Sequence, residues 1–216
     1  MSAIIEVELR GPLDAELRGR SCTAAKFHDL LIDRGAQLKG REKRLLLDLS
    51  TDPIESRALD VRVRSINGRS EIVVKRGGIS QSAREEARVC LADHQLHQAV
   101  RLCAMLGYST AVACDRRRIK YQLDDLEIVV EEVRYFSQPD KLHSSFFEAE
   151  LIATEETKVQ AEARVRERLD QLGLPIFERS EFNAYVHKLN QEANFIYRVG
   201  QDPESMLDGF QAESRV

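Results

Sequence analysis

The feature that most constrains this chain is a set of short segments in which charged residues recur two positions apart, opposite an apolar face. In a strand, residues i and i+2 share a face and lie roughly 6.8 Å apart. Glu6, Glu8 and Arg10 therefore project together, with Ile5, Val7 and Leu9 behind them. Arg62 and Arg64 oppose Leu59, Val61 and Val63, while Glu148 and Glu150 oppose Phe147, Ala149 and Leu151. Arg84, Glu86 and Arg88 oppose Ala83, Ala87 and Val89; Arg116 and Arg118 share one face of a further segment, and Lys75 ends another. Any one of these reads as the solvated side of an antiparallel sheet. The set reads differently, because a solvated face mixes Ser, Thr, Gln and Lys, whereas these segments carry pairs of Arg or pairs of Glu.

Period-two alternation predicts strands over 4–10, 43–49, 58–65, 70–76, 83–91, 109–122, 126–133 and 146–153. Asn67-Gly68 is a hairpin signal, Asp124-Asp125 a tight turn, and Ser137 to Ser145 a longer polar loop. Helices are expected from a Ser21 cap to Gly35, from an Asp93 cap to Gly107, from a Thr154 cap to Gly173, and over 180–190. The fold class is α+β. If the sheet closes, its charged faces line an interior and the helices cover an apolar exterior, inverting the usual small barrel. Residues 1–190 form the expected domain and 191–216 a largely mobile extension, although Phe195, Ile196 and Tyr197 could dock.

Lys+Arg 32 and Asp+Glu 36 nearly cancel, to a net charge of -4, so no global field draws the chain to nucleic acid or membrane. Cys22, Cys90, Cys103 and Cys114 are widely spaced in or beside apolar runs and read as reduced core thiols. With no leader-like or membrane-spanning segment, a cytoplasmic location is expected. The five histidines form no ligand-spaced cluster and read as solvated positions, with His143 in the polar loop. The sequence leaves a homodimer open.

A lumen lined by such charges needs a polyanion and cations. Arg side chains offer bidentate donors to phosphate oxygens, and paired carboxylates supply hard oxygen ligands for Mg²⁺ or Mn²⁺. An enclosed triphosphate-containing small molecule is the natural guest.

On these residues the chain resembles the CYTH, or triphosphate tunnel, superfamily, which includes class IV adenylate cyclases, thiamine triphosphatases and inorganic triphosphatases. Glu6-Val7-Glu8-Leu9-Arg10 matches its E-x-E-x-K motif with Arg for Lys. Arg62 and Arg64, then Lys75, Arg84 and Glu86, Arg116 and Arg118, Glu131, and Glu148 and Glu150 follow in family order. The resemblance implies an eight-stranded antiparallel tunnel over residues 4–190 that binds triphosphates with Mg²⁺ or Mn²⁺. It assigns Glu6, Glu8, Glu148 and Glu150 to metal, and Arg10, Arg62, Arg64, Lys75, Arg84, Arg116 and Arg118 to phosphate. Glu131 and Glu86 take catalytic, water- or metal-supporting places. Departures from the pattern are Arg10, Arg88 in place of a second glutamate, Glu131 in place of Asp, and the long 137–145 loop. The implied activity is metal-dependent hydrolysis of an inorganic or organic triphosphate; the alternatives are an adenylate cyclase making cyclic AMP and pyrophosphate, or a triphosphate-binding protein with little catalysis.

Overall fold

The computed structural model describes residues 4–13, 16–17, 20–21, 23–51, 59–77, 81–92 and 95–210. Eight strands close into an antiparallel barrel: β1 (Ile5–Pro12), β4 (Gln37–Ser50), β5 (Leu59–Ile66), β6 (Arg69–Arg76), β7 (Ala83–Cys90), β8 (Thr110–Leu123), β9 (Leu126–Tyr135) and β10 (Gln138–Ala153). Around the barrel the order is β4-β5-β6-β7-β1-β10-β9-β8, and β8 pairs again with β4. A two-residue ribbon, β2 (Glu16–Leu17) with β3 (Arg20–Ser21), follows β1. Asn67 and Gly68 both take positive φ, 47° and 81°, the backbone a tight two-residue hairpin requires between right-twisted strands.

The apolar faces point outward and the helices cover them. On one side α1 (Ala24–Asp33) and α3 (Lys158–Gln171) bury Phe27, Leu31, Val165 and Leu169 against Val7, Ile128, Phe147 and Ala149. On the other, α2 (Leu96–Met105) buries Leu96 and Val100 against Leu45, Leu47, Val63 and Ala113. The helix α4 (Arg179–Glu192), opened by a Glu178/Glu181 capping box, behaves differently. Its Leu189 clusters with Val133 and Phe146, which share the inward parity of Glu131 and Glu148, so α4 stoppers one end of the barrel. No helix among the described residues is long and apolar enough to cross a membrane.

Several sequence expectations are corrected. Residues 137–145 are not a loop: after a Phe136-Ser137 turn they continue β10, with register shifts between Gln138 and Ser144. Pro139 cannot donate to the ladder, which explains why regular pairing resumes only beyond it. His143 is accordingly on a strand and nearly buried, bonding Ser144 and Glu192 at 2.9 Å each. The α1 cap is Thr23, not Ser21, and α3 is preceded by Thr157 rather than Thr154; Asp93 and Cys22 lie outside the described residues. Cys90 is exposed instead of buried. In the C-terminal extension, β11 (Phe195–Arg198) pairs with Thr110–Ala113 of β8, where β9 no longer reaches, and a 3-10 turn, Glu204–Phe210, follows. Tyr197 and Leu207 are buried there, because β8 would otherwise leave an unpaired edge over the second core.

Candidate functional site

The barrel encloses a cavity of about 600 Å³ lined by inward side chains of its strands. Strand parity and cross-strand register decide which charges meet. On β1 and β10, Glu8 lies directly opposite Glu150 and Arg10 opposite Glu148. On β4 and β8, Arg44 lies directly opposite Arg116 and Glu42 opposite Arg118. Two of these four pairs join like charges, which is destabilising unless a counter-charge sits between them.

The acidic wall gathers Glu8, Glu148 and Glu150, each with a carboxylate oxygen within 4.8 Å of the others. Burial, together with the Glu148 charge, pushes the Glu8 carboxyl up to about 7 against the pull of Arg10. Burial and then the Glu8 and Glu148 charges push Glu150 up to about 8. Burial also opposes ionisation of Glu148, but Arg10 and Arg118 outweigh it and hold that carboxyl well below its usual range. Three closely spaced, largely enclosed carboxyls that do not readily ionise together are a hard-oxygen donor set that fits Mg²⁺ or Mn²⁺. Glu6 lies apart from this trio and pairs with Lys75.

The basic wall has the opposite character. Burial and the neighbouring Arg118 and Arg64 charges pull Arg44 down to about 10, and its carboxylate contacts, to Glu131 and Glu42, are loose at 3.9 and 4.0 Å. Arg116 Nη1 is buried with no hydrogen-bond partner, and among the described residues no carboxylate pairs with this side chain. Arg62 is held by Asp60 at 2.6 and 2.8 Å, and Arg64 by Glu71. Between the walls, Arg118 contacts Glu131, Glu148 at 3.2 Å, and Glu150 and Glu42 at 3.6 Å. Glu131 is 3% exposed, and its Oε2 has no partner.

Of the residues singled out in the sequence, Glu6, Glu8, Arg10, Arg62, Arg64, Lys75, Arg116, Arg118, Glu131, Glu148 and Glu150 line the cavity. Arg84 and Glu86 stand behind that surface. Arg84 bonds Asp60 at 2.8 Å and reaches Glu8 at 3.5 Å, while Glu86 holds Lys75 at 2.8 Å and Arg88 at 2.6 Å. Both therefore position other charges. Sequence reasoning passed over Glu42, Arg44, Asp48, Asp60, Glu71 and Lys120, all of which line the cavity. For Asp60 and Glu71 the signal was present: each is two residues, or twice two, from a residue already assigned to the inner face.

No family model matches the sequence, and no curated protein matches it. Solved structures do match. The PH1819 protein of Pyrococcus horikoshii superposes with a TM-score of 0.63 at 19% identity, over 85% of this chain and 98% of that one. A candidate adenylate cyclase from Vibrio parahaemolyticus gives 0.60 at 13% identity, over 94% and 98%. Another, from Bacillus halodurans, gives 0.51 at 12% identity, over 82% and 95%. What the chain shares with these proteins is the fold, a closed antiparallel barrel with helices packed on it, as the alternating charged strands of its sequence foretell.

Proposed function

We propose that the lumen binds a triphosphate together with Mg²⁺ or Mn²⁺ and that the protein is a phosphohydrolase acting on it. The observation that carries this reading is the sorting of like charges. Arg44 opposes Arg116 on one wall and Glu8 opposes Glu150 on the other. A guest that relieves both must be anionic on one side and cationic on the other, which describes a metal-complexed polyphosphate.

Arg44, Arg62, Arg64 and Arg116 offer guanidinium N–H groups to the phosphate oxygens, and Arg10 and Lys75 add charge nearer the acidic wall. Glu8, Glu148 and Glu150 would hold the cation. When bound there, a divalent ion neutralises phosphate oxygens and polarises the phosphoryl group under attack. Glu131, clamped by Arg118 through one oxygen, keeps the other free to accept a hydrogen bond from a water and aim it at phosphorus. Arg118 exchanges carboxylate contacts for phosphate ones within a site already desolvated by folding, so little reorganisation accompanies binding. Arg10 is a permanent cation and serves phosphate or carboxylates, not proton abstraction.

A cyclase is the second reading, supported by the likeness to two candidate adenylate cyclases. One experiment separates the outcomes: tripolyphosphate, ATP and thiamine triphosphate are incubated with the protein and Mg²⁺ or Mn²⁺, and the products identified. Orthophosphate release is expected. Cyclic AMP with pyrophosphate would replace the hydrolase by a cyclase, and absence of both turnover and binding would overturn the triphosphate reading.

A further inference from the structure

Strand β4 outruns its neighbour on one side. It pairs with β8 over its whole length, Gln37 to Ser50, but with β5 only from Arg44 to Leu49, because the β5–β6 hairpin turns back at Asn67-Gly68. The seam closes at Lys43, whose backbone N–H donates to Asn67 Oδ1 at 2.8 Å and whose carbonyl accepts from Asn67 N at 2.9 Å. Alternate residues of a strand turn their backbone groups to the same side. The N–H and carbonyl of Arg41 therefore point as those of Lys43 do, to where β5 has ended, and no described residue bonds them. The segment is open to solvent. Gln37, Leu38, Lys39 and Arg41 are exposed, and a Cβ added at Gly40 would meet no atom within 4 Å.

Charge sets what this edge accepts. An unpaired edge templates a further strand, and charged side chains along it choose which one. Lys43 and Arg117 are direct cross-strand partners on the outer face of the barrel, the face that Leu45 shares, and like charges so placed repel. Arg117 reaches the exposed Asp140 at 3.7 Å. Arg41, next along that face, makes no ion pair with a described residue. Lys39, at the register shift between Leu38 and Gly40, bonds the Gln37 amide at 3.3 Å and no carboxylate among the described residues. A second copy of β4 is refused by this pattern. Copies related by a two-fold axis run antiparallel and pair residues that face the same way, so on the outer face Arg41 and Lys43 would meet only each other. An acidic strand meets no such repulsion.

We propose that the 38–43 edge of β4 docks an extended acidic segment of a partner protein, added to the barrel as a further strand. Arg41 supplies main-chain N–H and carbonyl groups to it, and Asp or Glu at alternate positions of the segment lie beside Arg41 and Lys43 on the outer face. The positions between face the other way, beside Glu42, and take neutral side chains. None of Leu38, Lys39, Arg41 and Lys43 lines the lumen, so the inference does not depend on the triphosphate reading.

The probe is a fluorescent peptide, Thr-Glu-Val-Glu-Val-Glu-Thr, titrated into the whole protein and followed by anisotropy. Two controls accompany it: the same peptide with Lys for Glu, and one N-methylated at its Glu residues, whose N–H groups face Arg41. The Glu peptide should bind at least about tenfold more tightly than either, the difference made by a few cross-strand charge pairs or ladder hydrogen bonds. It should also slow hydrogen exchange at the Arg41 amide by at least about tenfold, which an anion bound elsewhere does not do. In the double variant Arg41→Glu with Lys43→Glu the preference should reverse toward the Lys peptide, with circular dichroism checking the fold. Excess tripolyphosphate at matched ionic strength should leave the Glu peptide bound. Its displacement would place the peptide in the lumen and overturn the proposal. Equal affinity for the Glu and Lys peptides, or an Arg41 amide left unprotected in the parent, would overturn it as well. Protection of Arg41 that grows with protein concentration in the absence of peptide would replace the acidic partner by a second copy of the chain.

Discussion

Arg44 on β4 and Arg116 on β8 are direct cross-strand partners whose guanidinium groups point into the same cavity, with no carboxylate firmly bound to either. Such a pair costs stability unless an anion sits between the two groups. Arg116→Met should therefore stabilise the ligand-free protein by about 1 kcal/mol, raising its Tm by about 2–4 °C, a shift typical of a chain this size. The same variant should lose most of the Tm increase that millimolar tripolyphosphate gives the parent by binding the folded state. Differential scanning calorimetry reads both effects. A lower Tm without ligand would mean that Arg116 is a structural cation.

On the opposite wall the corresponding change is the double variant Glu148→Gln with Glu150→Gln. Glutamine keeps the shape of glutamate and removes the charge a hard cation requires. Mn²⁺ binding, followed by water-proton relaxation without any substrate, should weaken at least about a hundredfold while the far-ultraviolet circular dichroism is retained. Parental Mn²⁺ affinity in the double variant would reduce this cluster to a crowded strand face.

The inner face of β1, β5 and β10 was legible because each carries charged residues in alternation with apolar ones, as in Glu6-Val7-Glu8-Leu9-Arg10. Strand β4 was not, because Leu45-Leu46-Leu47 interrupts the alternation: Leu46 points into the lumen and hides the parity linking Glu42, Arg44 and Asp48. Glu86 stands differently from the lumen residues. Its parity on β7 follows that of Arg84, yet register sets it opposite Lys75, so the sequence reports its face and not its depth. The apolar wall that α4 adds to the cavity was invisible for a different reason. Tyr185, Leu189 and Asn190 resemble an ordinary helix run, and their place depends on the helix stoppering a barrel whose closure is a long-range property.

Asp60 supplies the pH dependence. Burial opposes its ionisation, but Arg62 and Arg84 outweigh burial and hold the carboxyl well below the ordinary 3.8. A depressed carboxyl stabilises the fold above its unfolded value, and that contribution is lost as pH falls through the folded one. The Tm of the parent should thus decline steeply from about pH 4 downward. Asp60→Asn should begin with a lower Tm at pH 7, because Arg62 and Arg84 lose their counter-charge, and should then decline less steeply. Parallel pH curves for the two proteins would show that Asp60 adds nothing to acid stability.

Gly11 is a packing constraint. A Cβ built there would lie 2.0 Å from the Pro175 carbonyl oxygen and 2.4 Å from the Phe147 ring, beside a chain crossing held by a hydrogen bond from Phe177 N to Arg10 O. The oxygen belongs to backbone and cannot rotate away. Gly11→Ala should cost about 1–3 kcal/mol, the usual penalty of overpacking, and lower Tm by several degrees. Because Gly11 adjoins Arg10, triphosphate affinity should fall with it; an unaltered Tm would mean the crossing relaxes freely.

Glu131 separates binding from chemistry. Its carboxylate is buried opposite Arg118 on the neighbouring strand, one oxygen clamped and the other unpartnered at the boundary between the charged lumen and Phe146. A free, oriented acceptor in that place suits a water about to attack phosphorus. Glu131→Gln keeps the length of the side chain but replaces one acceptor oxygen by an amino group, which either faces Arg118 or turns a donor toward the water. Both arrangements spoil the alignment, and a misplacement of about 1 Å costs roughly a hundredfold in rate. In a protein that turns over triphosphate, kcat should therefore fall about a hundredfold while the Kd for tripolyphosphate, set mainly by the arginines, changes by less than about tenfold. Glu131→Asp retains the charge but withdraws the carboxylate by about one bond length. It should keep much of kcat if the water follows the carboxylate inward, so rescue by Asp and not by Gln is the signature of an oriented acceptor. Equal turnover by the parent and Glu131→Gln would remove Glu131 from the chemistry and leave it a partner of Arg118 alone.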